Sequence, residues 1–222
     1  MTNGTSITIR PRSSDGPPGY GRELTLRPET TAILTIDVQR FFVESLPFEA
    51  MQRAIEPIAR LLPAAREAGM TVVHVKTEFG ADGSDAGRPG SRTRQMMAAV
   101  FEGLVQGSPG AQLVPALEPL PDDAVVVKKR FSGFAGTDLH ELLVARRIES
   151  LLLVGGTTTV CVESTLRDAM FLEYNGAVLA DCTADMTEAL HQSALARIDL
   201  FFGWVATSDE ILAALSNGST GR

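Results

Sequence analysis

LLLVGGTTTVCVESTLRDA, residues 151–169, is the stretch on which the fold and chemistry of this chain turn. Leu151, Leu152, Leu153 and Val154 read as a fully buried strand. Two glycines, three threonines, Val160 and Cys161 follow, and then a segment with helical character. A thiol set where a strand turns into a helix meets free N–H groups and the positive end of the helix dipole. Both favour a thiolate over a thiol. The competing reading is a small buried hydrophobe, because free cysteines are among the most buried residues.

Working outward, the same strand-then-helix rhythm recurs. Apolar runs at 31–37 (TAILTID), 71–76 (TVVHVK), 124–129 (AVVVKK), 177–182 (AVLADC) and 202–207 (FGWVAT) read as strands. Helical spacing is expected over 47–68, 94–104, 137–146, from Cys161 to near Gly176, 187–201 and 208–215. The strands are apolar throughout rather than alternating, which is the mark of a parallel sheet covered on both faces. The expected fold class is α/β: three layers, α/β/α, around a doubly wound, mainly parallel six-stranded sheet. Residues 1–28, with Pro11, Pro17, Pro18 and several glycines, are expected to form a flexible or wrapping arm, and residues 29–222 one domain. The glycine-rich segment 78–92 reads as a long loop.

Composition narrows the function classes. A net charge of −7 leaves no basic footprint for nucleic acid or anionic lipid. No apolar run approaches the roughly 20 residues of a membrane helix. The N-terminal stretch lacks the apolar core of a signal peptide. Cys161 and Cys182 make no disulfide framework, so a reduced, cytoplasmic protein is expected.

Ligands of open parallel sheets bind beyond the carboxyl ends of the strands. Asp37 stands at the first such end, Lys128 and Lys129 at the third, Gly155, Gly156 and Cys161 after the fourth, and Asp181 and Cys182 at the fifth. A carboxylate, an ammonium and a thiol together suit nucleophilic catalysis, in which the carboxylate takes the thiol proton and the cation holds the ionised pair. Strand alternation allows one of Lys128 and Lys129, not both, to point at Cys161.

These residues resemble the isochorismatase-like cysteine hydrolases. The D-x-Q of that family appears as Asp37-Val38-Gln39. Its lysine, followed by an aromatic-Ser-x-Phe and a Thr-x-Leu, appears as Lys128, Phe131-Ser132-Gly133-Phe134 and Thr137-Asp138-Leu139, and its cysteine block as GGTTTVCVESTLRDA. The likeness covers roughly residues 28–216. Between Cys161 and Trp204 it is greatest to the ureidoacrylate amidohydrolase branch, although Thr77 and Phe79 stand where that branch carries Asn and Trp.

The resemblance implies an amidohydrolase acting on a small amide, ureido or carbamoyl compound, with Asp37 as base, Lys128 as stabiliser and Cys161 as nucleophile. It selects Lys128 over Lys129, since the family's lysine lies three residues before the aromatic. It further implies an oxyanion hole from the backbone N–H groups of Thr157 and Cys161, with a cis peptide at Gly156–Thr157, and a dimeric or tetrameric homo-oligomer. Substrate-pocket candidates are Gln39, Phe42, Phe79, Phe131 and Phe134. His74, His140 and His191 are too dispersed for a ligand set, so no metal and no cofactor are expected. A vinyl ether hydrolase of the isochorismatase type lacks the cysteine, and a non-enzymatic binding module on the same fold has no need of a reactive thiol.

Overall fold

The computed structural model describes residues 5–13, 23–45 and 49–219. Within the segment read as a flexible or wrapping arm the structure places two short strands. β1 (Ile7–Ile9) and β2 (Leu24–Leu26) pair antiparallel, Ile7 opposite Leu26. Both runs alternate apolar-polar-apolar, ITI and LTL, and their inward residues are buried in the main core. That period of two was the available strand signal. The prolines at 17 and 18 lie outside the described residues.

The central sheet comprises β3 (Thr31–Ile36), β4 (Thr71–Thr77), β5 (Ala124–Lys128), β6 (Ser150–Gly156), β7 (Asn175–Ala184) and β8 (Trp204–Ala206). The order is β5-β4-β3-β6-β7-β8 and every neighbouring pair is parallel. The helices are α1 (Glu49–Glu67), α2 (Arg92–Ala98), α3 (Leu139–Ala145), α4 (Glu163–Phe171), α5 (Glu188–Arg197) and α6 (Ser208–Ser219). Successive strand residues point to opposite faces, and the core divides accordingly. Ile33, Leu152, Val154 and Leu179 join α1 and α6 on one face, while Leu34, Ile36, Leu151 and Leu153 join α3, α4 and α5 on the other. This is the three-layer, doubly wound architecture expected from the apolar runs.

Several boundaries differ from expectation, two of them near the site. The helix expected over 94–104 closes at Ala98, and Glu102–Leu104 forms a separate short turn. β7 runs on to Ala184, with a register shift against β6 between Leu153 and Gly155.

β3 pairs with β4 on one side and with β6 on the other, so the winding direction reverses there. Such a reversal opens a crevice at the carboxyl ends of the strands. Asp37 and the segment leading to Cys161 leave the sheet at that point.

On α1's side of the sheet, His74 of β4 is fully buried. Its Nδ1 pairs with Thr35 Oγ1 at 2.8 Å and its Nε2 lies 3.3 Å from Asp123 Oδ2. Arg66 holds the same carboxylate at 2.6 Å. Burial pushes the His74 pKa below the ordinary imidazole value, outweighing the pull of Asp123. The unfolded chain takes up a proton as pH falls through about 6.5, whereas the folded chain does not. Stability is therefore complete above that pH and declines below it. Urea midpoints should fall as pH drops from above to below about 6.5, and His74→Gln should flatten that dependence; an unchanged slope in the variant refutes the assignment.

Candidate active site

Asp37 follows β3 directly, at φ +53, a left-handed conformation that aspartate tolerates better than most residues. Its N–H donates to Val75 O of β4 at 2.9 Å, and the residue is 2% exposed. Lys128 is the last residue of β5 and 1% exposed. From there its Nζ reaches Asp37 Oδ2 at 2.7 Å, Thr77 Oγ1 at 2.8 Å, Arg130 O at 3.0 Å and Cys161 Sγ at 3.6 Å. Lys129 points the other way: it pairs with Asp85 at 3.0 Å, donates to Glu78 O and lies over the Phe79 ring.

Thr77 is the site residue that sequence reasoning missed. It stands opposite Lys128 in the β4–β5 register. Its hydroxyl accepts from Lys128 and donates to Asp37 Oδ1 at 2.8 Å. Its signal was its place at a strand end, which becomes informative once β4 is known to lie between β3 and β5. Gln39 braces it from behind: Oε1 accepts from Thr77 N at 2.9 Å, and Nε2 donates to Thr77 O at 2.8 Å and Ala111 O at 2.9 Å. Asp37 Oδ2 touches the ammonium but accepts no well-directed hydrogen bond among the described residues. A buried carboxylate oxygen is thus left able to take a proton.

The cysteine turn is delivered by glycine. At Gly155, φ is +111 and an added Cβ would stand 2.0 Å from Ile36 O, so backbone meets backbone where β6 pairs with β3. The Gly156–Thr157 peptide is cis. A single wide helical turn, Thr158–Val162, then runs into α4 and carries Cys161, which is partly exposed. Burial pushes the Cys161 thiol up; Lys128 pulls it down and the Asp37 carboxylate pushes it up again, leaving it raised. Burial and the Asp37 carboxylate thus oppose, at the Cys161 thiol, the pull toward thiolate that the helix N-terminus and Lys128 exert. The same neighbours hold the Lys128 ammonium above the usual lysine range, although burial alone would lower it.

The pocket candidates separate. Gln39 and Phe79 are fully buried and offer no surface to a ligand. Phe79 packs with Ala86, Met97, Leu104 and Phe101 beneath the glycine-rich loop, and Phe131 packs against that group. Phe134 stacks on Tyr174 at 6.0 Å. Phe42, together with Met51, Gly156, Thr157, Ala184 and Asp185, lines a small cleft beside the cysteine turn. Gln39 and Phe79 thus stand behind the site as buried support, while Phe131 and Phe134 are partly exposed. The histidines lie apart, His74 with Thr35, His140 with Tyr174 and His191 with Thr158.

A carboxylate, an ammonium and a thiol at the reversal of a parallel sheet define the class, and comparison with known proteins agrees. Residues 31–210 match the model of the isochorismatase domain, and the chain belongs to the isochorismatase family of hydrolases. It is similar to the ureidoacrylate amidohydrolase RutB of Cronobacter sakazakii, 37% identical over 239 residues, with 99% of each chain covered. The RutB of Cronobacter turicensis is 39% identical over 218 residues, covering 90% of this chain and 94% of the relative. Among solved structures, a cysteine hydrolase from Pseudomonas syringae pv. phaseolicola superposes with a TM-score of 0.81 at 31% identity, covering 87% of this chain and 95% of the other.

Proposed function

We propose that this hydrolase is a cysteine amidohydrolase that cleaves the C–N bond of a small amide, ureido or carbamoyl substrate through a thioester on Cys161. One observation carries the reading: a single ammonium, Lys128 Nζ, is shared by Asp37 Oδ2 at 2.7 Å and Cys161 Sγ at 3.6 Å. Similarity along nearly the whole chain to enzymes named for ureidoacrylate supports a ureido or related substrate.

The proton then moves within the site. As the carbonyl arrives, Cys161 passes its proton to Asp37 and the thiolate attacks the carbonyl carbon, while Lys128 offsets the charge now on sulfur. The tetrahedral oxyanion is received by the N–H groups of Thr157 and Cys161, a pair of donors of the kind whose individual loss costs on the order of 10²-fold. Asp37 returns the proton to the departing nitrogen, ammonia or an amine leaves, and the acyl group stays on sulfur. Asp37 next takes a proton from water, the hydroxide attacks the thioester, and the thiol is regenerated with release of the acid. Thr77 keeps Asp37 and Lys128 in register throughout, since its hydroxyl bonds to both.

Ammonia release should be assayed across ureido acids, carbamoyl amino acids, biuret, nicotinamide and simple amides, with turnover expected for the ureido or carbamoyl members. In parallel, iodoacetamide should alkylate Cys161, which is partly exposed, as pH is raised above neutral, and spare Cys182, which is fully buried. Absence of turnover across the panel, together with an inert Cys161, defeats the reading.

A further inference from the structure

Asp185 directly follows β7 and is 3% exposed. Its Oδ2 accepts from Thr159 N at 2.6 Å and from Thr159 Oγ1 at 2.7 Å, and its Oδ1 accepts from Met186 N at 2.8 Å. All three donors are neutral, and among the described residues no lysine or arginine pairs with it. A buried carboxylate held by neutral donors alone is an expensive way to tie two segments together unless the tie has a use. Thr159 lies midway between Thr157 and Cys161, in the first turn of the helix that carries the thiol. The carboxylate is favoured there by the positive end of that helix. Thr158, next to it, is held separately, its Oγ1 2.8 Å from Nδ1 of the buried His191.

We propose that Asp185 is a positioning residue for the cysteine turn. Anchored to the end of β7, it fixes Thr159 and so sets where Sγ and the N–H groups of Thr157 and Cys161 point. This inference rests on the amidohydrolase reading for its kinetic consequence, but not for its effect on the thiol. The register shift between β6 and β7 supports it: the pairing resumes at Gly155 with Thr183 and continues at Gly156 with Ala184, which brings Asp185 level with the turn.

Asp185→Ala should lower kcat on the best panel substrate by about 10- to 100-fold with KM changed less than about threefold, because the loss falls on the oriented transition state rather than on substrate binding. The pH profile of Cys161 alkylation should move to lower pH, since a loosened turn releases Sγ from the burial and the Asp37 carboxylate that disfavour its thiolate. Asp185→Asn should recover part of both effects, its amide oxygen still accepting from Thr159 while its NH₂ faces Met186 N–H. Thr159→Val, which removes one hydroxyl, should shift both readouts in the same direction by less, and it serves if the alanine variant does not fold. Wild-type kcat in folded Asp185→Ala, or an alkylation profile identical to wild type, overturns the proposal. If the wild type turns over no panel substrate, the amidohydrolase reading fails, and the alkylation profile still decides the role of Asp185.

Discussion

Cys161→Ala is expected to reduce ammonia release by at least about 10⁴-fold while leaving the fold in place, because the deleted atom is the one that bonds to the substrate and no neighbour can replace it. Cys182 is fully buried in the opposite core. Asp37 is tied to Lys128 and Thr77. The side chain is partly exposed, so its truncation should alter stability by no more than about 1 kcal/mol. Circular dichroism and thermal melting should therefore match wild type while the assay falls to background. Cys161→Ser should be nearly as inactive, because a hydroxyl gives up its proton to a carboxylate far less readily than a thiol does. Residual ammonia release in the alanine variant would remove Cys161 from the chemistry and defeat the thioester mechanism.

Lys128→Met should be the most destabilising single change at the site. Its Nζ meets a carboxylate, a hydroxyl, a backbone carbonyl and a thiol while the residue is 1% exposed. Removing one partner of a buried pair strands the other, at a cost of about 3–5 kcal/mol. Methionine preserves the bulk, so the loss is electrostatic rather than a cavity. Adding Asp37→Asn removes the stranded charge, and the double variant should regain a large part of the lost stability without regaining turnover. That non-additivity is the signature of direct coupling. Equal losses that simply add in the double variant would refute it. Urea titration of the four proteins provides the measurement.

The sheet was legible because parallel strands covered on both faces must be apolar along their length, and TAILTID, TVVHVK and LLLVGG are. That one of Lys128 and Lys129, not both, could face Cys161 was legible from alternation, and the choice of Lys128 came from the family resemblance around Phe131. Thr77 was not, because its value depends on which strands are neighbours, and register across a parallel sheet leaves no trace in a single strand. Phe79 looked like pocket lining for the same reason: its burial comes from Met97 of α2 and from Phe101 and Leu104 just beyond it, whose position against the end of β4 no single segment records. The helix-terminus argument for Cys161 counts local dipoles and omits the burial and the carboxylate that tertiary structure sets against them. ITI and LTL were hidden among prolines and glycines, and three residues are too few to signal a strand without a partner.

The ammonium on which the site depends is carried by β5, the outermost strand, hydrogen-bonded on one side to β4. Val125 and Val127 of that strand are 45% and 36% exposed, so its outer face has little packed over it. Asp37 and Cys161, by contrast, hang from β3 and β6 in the interior of the sheet. Edges open at lower free energy than centres. Fraying of that edge, which takes Ala124 and Val126 out of one core and leaves the other whole, is therefore enough to withdraw the cation from an otherwise assembled thiol and carboxylate. On warming, such a molecule loses its chemistry while it still has its shape.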